Sequence, residues 1–351
     1  MKARFNFAAV MLMCCNILSC NKAQIDAPEP VEPDFYTVSL GWSGEILEVT
    51  DEPLRRGNDQ DNVYGIQVYS TPNKEAAEGT NVTWTPYAYG LFDIGDDISI
   101  NLMKGYRYKF VASMVVDGKN RLVSTTMDGN IAFLGPFAIS GSGSSWCSMT
   151  NKFDYQSAVY LYGLDKGSSA LEKTEVINQG IYAVPNLERF YGEYLDYIPG
   201  LKNNEKVMIK MKRTSFGAKF IAKGKLAKEG QLEVQITDAP KIMLDLSVSE
   251  KSTSDIYTFK NVKAAYEDNT YKETIPVTIN WHKPDGTIFP LGTHEITYKR
   301  NAMTTVTIAI ETDHADNGLG IEVDDTDMSD DTDSTLIQDG EVVETEIDTN
   351  A

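Results

Sequence analysis

From Phe35 onward apolar and polar residues alternate with a period of two, and this leaves few choices of fold. Successive side chains of an extended strand point to opposite faces, so a two-residue repeat gives each strand one buried and one wet face. Tyr36, Val38, Leu40 and Trp42 share a face of a first strand, Tyr64, Ile66 and Val68 of a second, and Ile98, Ile100 and Leu102 of a third. Residues 106–116 form a longer aromatic and β-branched run, closed by Asp117-Gly118, which reads as a hairpin turn. Further strands are expected over 207–222, 232–236, 242–248, 275–281 and 306–310, with a turn at Pro284-Asp285-Gly286. Helical periodicity is confined to 171–177 and 262–267. Short strands separated by turns predict an all-β chain built of sandwiches.

A chain of 351 residues, 42% apolar, is long enough for two cores. The stretch from Asp196 to Asn204 contains Pro199-Gly200 and places the expected boundary there, giving domains over 35–200 and 201–322. The net charge of −19 excludes a nucleic-acid partner, which needs a basic surface to displace phosphate counterions. From Glu311 to the end there are 15 acids and no lysine or arginine, so the charge is concentrated there. Residues 323–351 are therefore expected to be a disordered acidic tail. Its end, Leu336 to Ile347, carries two β-like runs around Asp339-Gly340, a hairpin signal.

At the other end, Lys2 and Arg4 precede an apolar run over 5–18. The run is shorter than the roughly 20 residues of a membrane span and has the order of a secretory signal peptide, residues 1–19. Three of the four cysteines lie here, Cys14 and Cys15 inside the apolar run and Cys20 after it. Ile17-Leu18-Ser19-Cys20 resembles a bacterial lipobox. The resemblance implies that Cys20 becomes the first residue and carries lipid, an anchor to the cell outer membrane. Residues 20–34, with Pro28, Pro30 and Pro33 among acids, read as a solvated tether. Cys147 is left alone, with no internal disulfide partner, and is expected to pack as a small buried hydrophobe.

Catalytic signatures are absent from the sequence. His282, His294 and His314 have no ligand-spaced partners, and there is neither a nucleophile elbow nor a P-loop. The acids between Asp324 and Asp333 lack the glycine of a calcium loop. Hence no catalytic residue, metal or cofactor is expected. Two features invite a binding or processing role. Trp84, Tyr87 and Tyr89 could stack on a sugar if their rings faced solvent, and otherwise pack in the core. Arg55-Arg56 is a basic pair in a polar loop after the first strand.

Several stretches together resemble the fimbrillin-like lipoproteins of Bacteroidales, the superfamily of fimbrial shaft, tip and anchor subunits. They are the lipobox and tether, Lys104-Gly105-Tyr106-Arg107-Tyr108-Lys109-Phe110-Val111-Ala112, and Phe190-Tyr191-Gly192-Glu193 ahead of Val207 to Arg213. The resemblance implies two tandem transthyretin-like antiparallel β-sandwich domains, no enzymatic activity and no cofactor. It also implies fimbrial subunits as partners, joined by strand addition after cleavage of an N-terminal strand at an arginine, here Arg55 or Arg56. The terminal, acidic position of the tail hairpin departs from a shaft donor strand and favours an anchor, accessory or stand-alone role on the cell surface. The alternative is a lipoprotein of a nutrient-uptake system that binds a host or bacterial surface glycan or protein. A secreted hydrolase is a third reading.

Overall fold

The computed structural model describes residues 34–47, 61–73, 82–167, 186–200, 206–224, 229–248, 251–310 and 319–328. The expected signal peptide, Cys20, nearly all of the tether, Arg55-Arg56, the helix over 171–177, His314 and the terminal hairpin lie outside the described residues.

The alternating faces become two sets of sheets. In the first, seven strands run in the order β3 (Thr85–Phe92), β2 (Val63–Pro72), β5 (Tyr106–Val115), β11 (Arg189–Tyr197), β12 (Lys206–Arg213), β1 (Phe35–Gly44) and β4 (Ser99–Met103). The residues grouped by alternation, among them Val38, Leu40, Tyr64, Ile66, Ile100 and Leu102, meet in one core drawn from all seven strands. Trp42 of β1 stacks on Tyr64 of β2 with ring centroids 5.5 Å apart, although three strands separate them in the sheet. The sheet therefore curls over its own core. Its outer face at β2, β3, β5 and β11 buries Leu91, Val111, Val115 and Tyr191 in a second core. Most of the rest of that core comes from the short strands β7 (Asn130–Phe133), β8 (Ile139–Ser140), β9 (Cys147–Ser148) and β10 (Tyr160–Leu161) and the loops around them, with β6 (Ser124–Met127) paired to β7, and Val262 also joins it.

The second set is a sandwich of two four-stranded sheets. One has the order β16 (Ser252–Thr258), β13 (Ser215–Lys223), β19 (Ala302–Ile310) and β20 (Leu319–Asp327). The other has β15 (Ile242–Asp245), β14 (Gln231–Ile236), β17 (Lys272–His282) and β18 (Ile288–Lys299). Between them lie Phe216, Phe220, Val234, Ile279, Tyr298 and Ile308. The chain is thus all-β and sandwich-like, with two short helices among the described residues, α1 (Gly118–Arg121) and α2 (Val262–Glu267). The second coincides with its sequence expectation. Asn261 caps it, its side chain accepting a hydrogen bond from the Ala264 amide at 3.1 Å.

Four expectations are corrected. The strand expected over 207–222 is two strands in different sheets, and the chain changes sheets at Thr214; the boundary expected at 200 abuts residues outside the described set. The cause is a slip of phase. Val207, Ile209 and Met211 face the first core, whereas Phe216, Ala218 and Phe220 face the second. Pairing is not wholly antiparallel, since β1 runs parallel to β12 and β13 parallel to β19. Asp117 adopts a left-handed conformation (φ 54°) but opens α1 instead of a hairpin. Finally, Val323 to Asp327, expected in a disordered tail, belong to β20 and pair with β19. Acids tolerate that position because the strand is an outer edge, where Thr304 donates to Asp325 at 2.8 Å and Lys299 pairs with the same carboxylate at 2.6 Å.

At the change of sheets, two arginines have no solvent exposure, Arg189 and Arg213. Arg189 donates to Ser113 Oγ (2.7 Å) and to the carbonyls of Lys166 (2.6 Å), Gly163 (2.7 Å) and Leu164 (2.6 Å). Arg213 donates to Glu188 at 2.9 Å and to Asn301. Glu45, just past β1, accepts from the Arg213 amide (2.8 Å) and from both terminal nitrogens of Arg300 (2.7 and 3.0 Å). It ties the first strand to the second sandwich. The Arg300 side chain is 5% exposed and that of Glu45 23%, so removing the carboxylate strands a nearly buried guanidinium. Glu45→Ala is therefore expected to cost about 3 kcal/mol in urea unfolding. A loss under about 0.5 kcal/mol, the scale of a surface pair, would show that this clamp does not join the halves.

Candidate functional site

A molecule made of strands can recruit partners at its sheet edges, where N–H and C=O groups lack a neighbour. Among the described residues the three largest sheets have six such edges, and each is obstructed. β15 is only four residues long. β18 carries Pro290, which has no amide to donate, next to a register shift. β20 presents Glu322, Asp324, Asp325 and Asp327. β16 abuts the first set of sheets, with Asp255 bonded by Asn186 and the Thr258 hydroxyl donating to the Leu187 carbonyl at 2.8 Å.

The remaining two edges, β3 and β4, are taken by one loop over residues 151–155. The Asn151 amide donates to the Leu91 carbonyl (3.1 Å), and Tyr89 and Asp154 exchange backbone bonds at 3.0 and 2.8 Å, which covers β3. On β4 the Asn101 amide donates to the Tyr155 hydroxyl (3.0 Å), and the Tyr87 hydroxyl donates to the Asn101 carbonyl (2.7 Å). Tyr87 and Tyr155 meet edge to face with centroids 5.5 Å apart, and Phe153 rests on Phe92. The curled sheet is thereby closed by side chains where strand pairing stops.

Two of the candidate aromatic residues are absorbed by this closure. A bulge places Tyr87 out of step, because Val68 pairs with Ala88 while Tyr69 pairs with Pro86. Tyr87 consequently packs on the inner core, and Tyr89 on the outer one. The Tyr89 hydroxyl donates to Asp154 at 3.1 Å, and burial followed by the Asp154 charge raises its pKa. Trp84 is half-buried ahead of β3. Tyr87 and Tyr89 therefore do not form one stacking surface. Cys20, Arg55 and Arg56 lie outside the described residues. Asn101, Asn151, Tyr155, Glu45 and Arg300 were not singled out by the sequence; their spacing follows no period, and only the fold brings them to their partners.

The thiol among the described residues is held in an unreactive state. Cys147 is buried in β9, and burial, aided by the Asp154 charge, pushes its thiol up to about 12, so it stays protonated at neutral pH. His282 lies 3.1 Å from Glu233, which also accepts from Asn280 (3.0 Å) and Lys241 (3.3 Å) on the outer face of β14 and β17. No group of three or more metal-ligating side chains occurs among the described residues.

Burial opposes ionisation of Glu233, but hydrogen bonds from Asn280 and Lys241, the Lys241 charge and His282 outweigh it and hold the carboxyl below its ordinary 4.5. A depressed carboxylate stabilises the fold above its ordinary value and loses that contribution as pH falls through the depressed one. Glu233→Gln is expected to flatten the fall of the urea midpoint on acidification below pH 4.5. Curves of equal slope would show that this cluster adds nothing. At the edge of β4, Tyr155→Phe removes the acceptor for a backbone amide and is expected to cost about 1 kcal/mol. The double change F153S/Y155S is expected to uncover both edges and to raise the mass in sedimentation; a monomer of unchanged mass would mean that this loop is not what guards them.

No family model matches the sequence, and no curated protein matches it. Solved structures from Bacteroidales are similar over most of the chain. One is a candidate cell adhesion protein from Bacteroides uniformis, at 12% identity and a TM-score of 0.34, covering 83% of this chain and 99% of that one. Another is the fimbrial anchor protein Mfa2 from Porphyromonas gingivalis, at 7% identity and a TM-score of 0.34, covering 83% and 96%. A third is the tip fimbrial protein Mfa3 from the same organism, with a C-terminal truncation, at 10% identity and a TM-score of 0.28, covering 84% and 99%.

Proposed function

We propose that this chain is a lipid-anchored protein of the outer cell surface with a structural or adhesive role, an anchor or accessory of fimbrial assembly, and that it is not an enzyme. The observation that carries the reading is the order Ile17-Leu18-Ser19-Cys20, acidic proline-rich tether, then β1. A lipidated Cys20 would leave the body joined to the membrane through a strand set between β12 and β4. The obstructed edges favour a subunit that does not extend a polymer in this state. Strand addition to a fimbrial neighbour, its expected mode of partnership, requires an edge to be uncovered first. Arg55-Arg56 remains the candidate cleavage site. A cut there would leave β1 paired along six residues with β12 and five with β4, and held by Glu45. Glycan binding by Trp84, Tyr87 and Tyr89 loses support from the opposed positions of Tyr87 and Tyr89.

The test is protease shaving of intact cells that carry the wild type or Cys20→Ala. The expected result is digestion of the wild type while periplasmic markers survive, with release of the variant into the medium. Protection of the wild type until the outer membrane is broken would overturn the surface assignment, and retention of Cys20→Ala in the membrane would overturn the lipid anchor.

A further inference from the structure

The outer face of the seven-stranded sheet is covered at β2, β3, β5 and part of β11, but β12 and β1 leave a polar face open. Along β12 every second residue points outward, giving the row Lys206, Met208, Lys210 and Lys212. Beside it β1 presents Thr37, Ser39, Gly41 and Ser43, with Ser39 opposite Lys206 and Ser43 opposite Lys210. Gly41 keeps the floor low, and the flexible ends of Lys206 and Met208 lie over it. A Cβ there would sit 2.2 Å from Lys206 Cε and 2.9 Å from Met208 Sδ. Met208 is 42% exposed between the lysines.

This row lacks counter-charge. Among the described residues Lys206 and Lys210 form no ion pair. The carboxylate opposite Lys210, Glu193, is engaged by Lys263 at 2.7 Å and by the Tyr191 hydroxyl. Lys212 donates to neutral oxygens, the Tyr266 carbonyl and Asn269 Oδ1, both at 2.8 Å. Burial and then the charges of Arg300 and Lys210 lower its pKa, against the opposing pull of Glu45 and Asp268. Positive charge is crowded here in a chain whose net charge is −19.

The described chain ends near the Lys212 end of β12. The Met328 amide donates to the Asn301 carbonyl at 2.9 Å, and the Asn301 side chain accepts from Arg213, the residue after Lys212. The remaining residues, 329–351, hold eight acids and no lysine or arginine. Twenty-three residues reach up to about 75 Å when extended, and the row from Lys212 to Lys206 is about 20 Å long. Leu336, Ile337, Val342, Val343 and Ile347 are interspersed with the acids, as Met208 is with the lysines.

We propose that segment 329–351 of this chain docks on its own β12 face, its carboxylates on Lys206 and Lys210 and an apolar residue against Met208. The site recognises an acidic, β-prone peptide and is filled in cis.

Zero-length carbodiimide coupling of the full chain tests this, with the monomer isolated and its cross-links mapped by mass spectrometry. The expected result is amide links between Lys206 or Lys210 and acids of 329–351. They should fall at least about tenfold in about 0.5 M salt, where screening cuts the Debye length to about 4 Å. In K206Q/K210Q they should disappear without any change in the unfolding midpoint. Three results would overturn the proposal. One is an absence of these links in the monomer. Another is their spread over the other exposed lysines in equal yield. The last is their confinement to a cross-linked dimer, which would make a second copy the occupant.

Discussion

Two guanidinium groups with no access to water sit where the chain leaves one set of sheets for the other, and both halves supply acceptors to them. A buried arginine has five donors to place, and each one left without an acceptor costs desolvation energy. Arg189 places its donors on Ser113 and on three carbonyls between Gly163 and Lys166, which fixes the segment that follows β10. Arg213 joins Glu188 to Asn301 but leaves its buried Nη2 without an acceptor, and Glu45 joins β1 to Arg300. Apolar contact lies beside them, with Tyr191 edge-on to Tyr266 of α2 at 5.2 Å and Val262 of the same helix buried in the second core. Polar and apolar contacts thus both join the halves, while the separate cores stabilise each half by burying apolar area.

The same requirement explains how the curled sheet ends. A sheet of seven strands has two edges, and β3 and β4 come near each other without pairing. Residues 151–155 supply an amide, a backbone bridge and a tyrosine hydroxyl to the groups left over. The ring pairs Tyr87–Tyr155 and Phe92–Phe153 pack beside those bonds. A charged face is left open at β12 and β1, outside the part of the sheet that the second core covers.

Much of the fold was legible because alternation encodes which residues share a face. The inner faces of β1, β2 and β4 were readable residue by residue. Alternation is silent about strand direction, so the parallel pairs β1–β12 and β13–β19 left no trace in it. The change of sheets at Thr214 did leave one: inward residues are odd-numbered from Val207 to Met211 and even-numbered from Phe216 to Ala222. A single run of strand-forming residues hid that slip. Composition misread Val323 to Asp327, since an edge strand tolerates acids as readily as a solvated tail does. The closure by residues 151–155 rests on contacts between Asn101 and tyrosines 14 and 54 residues away, a separation that no local pattern carries. The motif at Cys20 specifies covalent processing, which a fold does not display.

The position of β1 has a mechanical consequence. The strand enters from the N-terminal side and lies between β12, parallel to it, and β4, antiparallel to it. A pull on its N-terminal end runs along the strand axis and across the ladder hydrogen bonds on both flanks. These bonds share the force and must fail nearly together, in shear, instead of opening one at a time as at the end of a hairpin. Glu45 sits at the far end of the strand, where sliding would first have to dislodge it from Arg300. Tension entering through residue 35 would therefore spread over the first sheet and into the second sandwich, and the molecule would resist it as one body.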